Sequence, residues 1–369
     1  MKTEKTQQPT RTVGRRRALT ASLLTGVVGL GSSARAQEQS PKTRLRMATS
    51  WPTSLPLLHE SAMDFARSVE TLTDGRLVID VDDPGKHGKP VGILDLVRSG
   101  DYDLGHTTAQ YYAQALPAID FFTAVPFGLT PIENHAWMLE GRGLELLNQA
   151  LAPTGVRALV AGDTGTQMGG WFTKEILTAD DLKGLRIRIA GFCGRVLEGL
   201  GAKPVGLPLG QIASAFEAKS IDAADIVGPA IDQAVGVAKH ARYYYAPWHE
   251  LNVALHLFMN SKRIDALPPA WKTALHEAAS ACALRSLARA QYRNAVAMQE
   301  LLAQGVQLRR FPDSVIHALQ VATTLELEKA AGADKGSAAV IDSWRAAKGL
   351  LLPYGLQVDA AALQVRNTM

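Results

Sequence analysis

From residue 44 to residue 106 the chain switches repeatedly between two hydrophobic periods, and this switching restricts the fold more than any other feature. Residues 44–51 read as a strand that runs into a proline turn, and residues 57–72 then carry apolar side chains three and four positions apart, as a helix does. Residues 77–81 alternate as a second strand, 93–98 read as a helix, and 103–106 as a short strand. Strands joined through helices lie parallel, so the expected class is α/β, with mainly parallel sheets flanked by helices. The pattern resumes near 156–160 and includes 206–227. Residues 268–304, opened by Leu267-Pro-Pro and rich in Ala, Leu, Arg and Gln, read as one long helix. The segment after Leu350 is poorly patterned and is assigned no role.

The N-terminus has a different character. Gly14-Arg-Arg-Arg17-Ala-Leu, an apolar run over 18–31 and Ala34-Arg-Ala36 follow the order of an export signal, and the arginine pair points to the twin-arginine route and a periplasmic destination. The run is too short and too rich in Gly, Ser and Thr for a bilayer span, which takes about 20 apolar residues. Cleavage after Ala36 removes seven basic residues and one acidic residue. The 39 basic and 35 acidic residues become 32 and 34, and the net charge of +4 becomes −2. The basicity therefore belongs to the leader, and no basic stripe interleaved with aromatics is left to bind nucleic acid. Cys193 and Cys282 stand far apart in unlike contexts, so two buried free thiols are expected. The remaining 333 or so residues exceed what one hydrophobic core usually serves, which predicts two lobes with a ligand between them.

The most chemical stretch is Thr164-Gly-Thr-Gln167-Met-Gly-Gly-Trp171-Phe, followed by Asp180-Asp-Leu-Lys-Gly-Leu-Arg186-Ile-Arg188-Ile. Arg186 and Arg188 share one face of a short strand. Arginine suits a carboxylate because its planar fork matches two oxygens and never loses its proton. An arginine on a strand most often only solvates an exposed face, so the residues alone leave both readings open.

Further blocks are Ala48-Thr-Ser-Trp51-Pro, Phe121-Phe-Thr-Ala-Val-Pro-Phe-Gly-Leu-Thr-Pro131, Ile221-Asp-Ala-Ala-Asp225-Ile-Val-Gly-Pro229 and Lys239-His-Ala-Arg-Tyr243-Tyr-Tyr-Ala-Pro-Trp248-His-Glu250. With these blocks in this order, the chain from about residue 44 to about residue 345 resembles the DctP-type extracytoplasmic solute receptors of tripartite ATP-independent periplasmic (TRAP) transporters. The likeness is to the branch that binds 2-oxo acids and related monocarboxylates.

The resemblance implies a two-lobed periplasmic solute-binding fold with the long helix spanning both lobes. Lobe I would comprise 37–165 and about 254–293, lobe II 166–253 and about 294–345, with 346–369 as a C-terminal tail. It implies that Arg188 holds the substrate carboxylate, and that Gln167 and Asp225, with the backbone of Ile226, hold a hard cation, Na+ or Ca2+, chelated also by the ligand. Glu250 falls at a further matching position, and Tyr111, Tyr112 and Trp171 are expected to wall the cleft, although aromatics near Gly-Gly also fill cores. Tyr243–Tyr245 are expected in the core. No organic cofactor is implied. The implied partners are a small organic anion and a membrane-embedded permease, and the oligomeric state is open between a monomer and a homodimer formed through a swapped C-terminal helix. Two departures stand out. The family usually carries Glu-Trp where this chain has Asp225-Ile226, which shortens the carboxylate by one methylene and removes a flat wall. The loop 80–89 is acidic but has no closing acid at its twelfth position, where Val91 stands, so it reads as a turn cluster rather than a calcium loop.

The alternative is a periplasmic enzyme acting on a small carboxylate. The sequence has no His-Glu-x-x-His, no Gly-x-Ser-x-Gly elbow, no phosphate-cradling Gly-x-x-x-x-Gly-Lys and no dinucleotide fingerprint. His249 is the best candidate base, and a histidine in a turn is usually solvated. The expectation is a receptor, not an enzyme.

Overall fold

The structure, a computed structural model, describes residues 42–367, so the expected signal segment 1–36 lies outside the described residues. Eleven strands are found among them: β1 (Thr43–Thr49), β2 (Leu77–Asp82), β3 (Leu104–Thr107), β4 (Val156–Asp163), β5 (Gly170–Phe172), β6 (Arg186–Arg188), β7 (Lys203–Val205), β8 (Ala223–Ala224), β9 (Tyr243–Tyr245), β10 (Ala254–Asn260) and β11 (Gln307–Arg309). They form two sheets, one per lobe, in the orders β2-β1-β3-β10-β4 and β11-β9-β5-β8-β6-β7.

Both sheets are mixed, with antiparallel pairings beside the parallel ones. In the first, β1 runs parallel to β2 and β3, but β10 is antiparallel to both β3 and β4. In the second, β5 is antiparallel to β8 and β9 while β6 runs parallel to β7 and β8, and β11 parallel to β9. The reason is topological. The rule for parallel pairing applies to strands joined by a crossover helix within one sheet; β5, β10 and β11 are instead reached by passing from one sheet to the other, and there both directions occur, β5 and β10 antiparallel to their neighbours and β11 parallel.

The chain leaves the first sheet at Asp163, enters the second at Gly170, and returns between Tyr245 and Ala254. The two crossing segments are stitched together. Thr164 N–H donates to Val253 O (3.1 Å), Gln167 N–H to Glu250 O (3.0 Å) and Gly169 N–H to Tyr245 O (2.8 Å).

The helix Pro269–Ala303 is 35 residues long, about 52 Å at 1.5 Å per residue, and touches both lobes. Proline opens it, and Gly305, with φ of +88°, ends it. At one end Cys282 Sγ lies 3.2 Å from Ser61 O and Arg289 pairs with Asp64, both on the lobe I helix Leu58–Leu72. Further along, Asn294 Oδ1 accepts from Ala230 N–H (3.1 Å) on the lobe II helix Pro229–Val235. Cys193 and Cys282 are both free and buried. No helix among the described residues is long and apolar enough to cross a membrane.

The segment after Leu350 is helical: Lys335–Gln357 continues through it, Pro353 included, and Asp359–Arg366 follows. The chain reverses at Asp334, whose carboxylate caps the new helix by accepting from Gly336 and Ser337 N–H (3.1 and 2.7 Å). That helix then lies on lobe I, where Trp137 Nε1 donates to Ser343 Oγ (3.1 Å).

Trp137 is therefore a tie between lobe I and the C-terminal helix; it is 2% exposed and stacks on Phe122 with ring centroids 5.5 Å apart. Trp137→Ala is expected to lower unfolding free energy by about 3–5 kcal/mol through cavity formation, read from urea denaturation. A loss below about 1 kcal/mol would mean that the site collapses freely or that the C-terminal helix is not anchored there.

Candidate carboxylate and cation site

Arg188 ends β6 beside the end of β8, in register with Ala224, and the next residue, Asp225, donates its N–H back to Arg188 O (2.8 Å). The guanidinium is clamped by carbonyls: Nε donates to Leu207 O (3.0 Å) and Nη1 to Asp225 O (2.6 Å), with Asp225 Oδ2 at 3.6 Å. Among the described residues none accepts from Nη2. Arg188 is 6% exposed, so this is a fixed, nearly dry cation with one unused prong facing a chamber. Arg186, two residues earlier, is instead spent at the surface on both oxygens of Asp222 (2.8 and 2.6 Å) and on Lys219 O.

Gln167 and Glu250 arrive on the two crossing segments. Gln167 Nε2 donates to Thr164 Oγ1 (3.0 Å), and its Oε1, buried, has no partner. A buried acceptor without a donor is costly, and its residue lines the same chamber as Arg188, Asp225 and Glu250. Glu250 is buried opposite Asp225. Burial and the Asp225 charge push its carboxyl well above the usual range, against Arg188 and an amide hydrogen bond from Gln110. Carboxylate oxygens of Asp225 and Glu250 and a ring nitrogen of His249 lie within 4.8 Å of one another.

His249 corrects the expectation of a solvated turn residue. It is fully buried, stacks on Trp248 and places Nε2 3.0 Å from Asp225 Oδ1. Trp171 is likewise corrected. It does not wall the cleft but lies in the lobe II core, stacked on Tyr244 at 4.0 Å, with Nε1 donating to Asp232 Oδ2 (2.8 Å). Tyr112 is also core, its hydroxyl bonded to Thr107 Oγ1 (3.0 Å).

Tyr111, Gln167, Arg188, Asp225, Ile226 and Glu250 line one chamber of about 30 Å³ between the lobes. Gln110, not singled out from the sequence, joins them, and Thr164 and Trp51, which stood in quoted blocks without a role, form part of the wall. Trp51 is fixed by Nε1 donating to His106 Nδ1 (2.8 Å). Burial pushes that imidazole down to about 4, so it stays neutral and free to accept. The side-chain oxygens of Gln167, Asp225 and Glu250 suit a hard cation such as Na+ or Ca2+, and the orphaned Gln167 Oε1 fits that role.

The folded Glu250 carboxyl holds its proton more tightly than the unfolded one, whose value is about 4.3. Stability from this group is therefore greatest below that value and falls as pH rises above it. Glu250→Gln has no proton to lose. Without ligand or cation, its Tm is expected to exceed the wild type's by roughly 2–4 °C at pH 7.5 and to converge with it near pH 4. Parallel Tm–pH curves would contradict the assignment.

Comparison with known proteins agrees with this geometry. A profile of the bacterial extracellular solute-binding proteins of family 7, DctP, matches residues 47–332. A monocarboxylate 2-oxoacid-binding periplasmic protein of Nostoc sp. (strain PCC 7120) is 35% identical over 333 residues, covering 89% of this chain and 91% of that one. Among solved structures, a TRAP periplasmic solute-binding protein from Pseudoalteromonas atlantica with bound sodium and pyruvate is 36% identical with a TM-score of 0.86, covering 88% of this chain and 99% of that one. One from Bordetella bronchiseptica, a mixed-occupancy dimer with calcium and picolinate, is 32% identical with the same TM-score, covering 89% and 98%. The chain belongs to the DctP family of TRAP-transporter solute-binding proteins.

Proposed function

We propose that this chain is the periplasmic receptor of a TRAP transporter, that it captures a 2-oxo or 2-hydroxy monocarboxylate together with a Na+ or Ca2+ ion, and that it delivers the acid to a membrane permease. The observation that carries the reading is the unused Nη2 of Arg188 facing the same chamber as the orphaned Oε1 of Gln167. Arg188 takes the carboxylate. Gln167, Asp225, Glu250 and the Ile226 carbonyl take the cation, which the acid's carboxylate and 2-oxygen complete. The relatives' sodium with pyruvate and calcium with picolinate support this arrangement.

Formal charge explains why acid and cation come together. The guanidinium already faces the Asp225 carboxylate, and Glu250 beside it gives up its proton only at a cost, so an anionic ligand alone adds repulsion to any charge there, and a cation offsets it. The mechanism is closure of the lobes, in which ligand bound to both stabilises the closed state by its higher affinity for it. The acid is returned intact, without turnover. The leader 1–36 directs export by the twin-arginine route. Lobe I spans 37–165 and about 254–293, and lobe II spans 166–253 with about 294–334.

Arg188→Ala is expected to weaken pyruvate binding by about 2–5 kcal/mol, roughly 30-fold or more, in titration calorimetry with calcium present. Removing calcium and sodium should weaken wild-type binding in the same direction. Unchanged affinity in both tests would reject the site.

The homodimer reading is favoured by one feature. Leu350, Tyr354, Leu356 and Leu363 all lie exposed on the C-terminal helices, large apolar side chains that a second copy would cover. Light scattering should report a dimer for the mature chain and a monomer for a chain ending at residue 348; a monomer in both would reject it.

A further inference from the structure

The chamber around Arg188 is small. About 30 Å³ admits two or three water-sized groups, enough for the oxygens of an acid head and little else. Directly beside it lies a groove of about 390 Å³, within the range of small-molecule sites. Trp51, Tyr111 and Leu209 line both spaces, so the groove begins where the chamber ends. Tyr111 and Trp51 stand at that junction with ring centroids 6.2 Å apart.

The groove is built from both lobes and is apolar. Leu55, Pro84, Pro90 and Val91 come from one side, and Pro208 and Leu209 from the other. No charged side chain lines it. Its lobe I wall is the loop that departs from the family pattern, and that wall is braced. Lys86 Nζ bonds Asp82 Oδ1 (2.7 Å), and a His87 ring nitrogen lies 3.1 Å from Thr49 O. Val91 at its rim is 53% exposed, a large apolar side chain left in water unless something covers it.

We propose that the groove is a tail subsite: the ligand is a 2-oxo monocarboxylic acid whose uncharged apolar chain leaves the chamber past Trp51 and Tyr111 and lies between the 84–91 loop and the 208–211 turn. The inference rests on Arg188 holding the head, as proposed above. It sets a preference in two directions. Each methylene that enters the groove gains affinity by about fourfold when fully buried, and a second carboxylate is penalised, because no cation in the groove replaces its hydration.

Titration calorimetry of the mature chain in excess calcium, with pyruvate, 2-oxohexanoate and 2-oxoglutarate, tests it. The expected order has 2-oxohexanoate at least ~10-fold tighter than pyruvate, and 2-oxoglutarate weaker than 2-oxohexanoate. Val91→Glu, at an exposed position that leaves folding intact, should weaken 2-oxohexanoate by roughly fivefold while changing pyruvate less than twofold. Val91→Trp, which fills the groove, should give the same split. Pyruvate bound as tightly as 2-oxohexanoate, or both variants weakening the two acids equally, overturns the tail subsite and leaves the head site standing. Binding of none of the three acids overturns the receptor reading, and the subsite with it.

Discussion

The pairing of the two crossing segments is the constraint from which the site follows. Backbone hydrogen bonds from Thr164, Gln167 and Gly169 to Val253, Glu250 and Tyr245 fix one strand-like segment against the other at the boundary between the lobes. Residues more than eighty positions apart in the chain thereby become neighbours, and Gln167 and Glu250 are delivered to the same chamber. Lobe II supplies the rest through the ends of β6 and β8, where Arg188 and Asp225 sit side by side because the strands run parallel and in register. A receptor that closes needs its ligand groups on both sides of a boundary that bends without breaking, and a pair of bonded crossing segments provides such a boundary.

The electrostatics of the chamber depend on the same arrangement. Arg188 is held by two backbone carbonyls, Leu207 O and Asp225 O, rather than by a full carboxylate pair. Its charge is therefore oriented without being neutralised, since Asp225 Oδ2 stands off at 3.6 Å and Asp225 Oδ1 is engaged by His249. A close bidentate partner, such as Asp222 gives Arg186, would leave nothing for a ligand. The two arginines of one short strand show how the same residue type serves structure or recognition according to which partner reaches it first.

Much of this was legible in the sequence, and the parts that were not share a cause. Arg188 was singled out only by the resemblance, since the residues alone left a solvated strand face also open, whereas the long helix was legible from its opening Pro and its continuous run of Ala, Leu, Arg and Gln. The antiparallel pairings of β5 and β10 were not, because the chain's passages between the sheets leave no periodic trace. Trp171 was placed in the cleft because β5 is only three residues long, too short for alternation to reveal which face is core. His249 was misjudged for a related reason. Its turn is buried only because the crossing segments fold over it, a long-range effect that a local reading of Trp-His-Glu does not contain. The C-terminal helix was hidden by Gly349 and Pro353, which normally interrupt helices and here lie within one.

One contact between the lobes bears on why closure waits for ligand. Asp120, on the lobe I segment Pro117–Phe122, reaches across to the lobe II helix Gly191–Gly199, where Arg195 Nη2 donates to its Oδ2 (3.0 Å). Its other oxygen lies so close to Gly191 that a Cβ there would come within 2.9 Å of it, and φ of +60° at that glycine already disfavours any other residue. Burial pushes the Asp120 carboxyl up to about 6, with Arg195 opposing. The ion pair thus aligns the closed lobes while charging a desolvation cost for bringing them together. An open form, with Asp120 hydrated, avoids that cost. On the function proposed above, closure then requires a further favourable contact across the boundary, and an acid and cation seated between Arg188 and Gln167 would supply it, so that the lobes would discriminate between empty and loaded cleft through the difference of two opposed electrostatic terms.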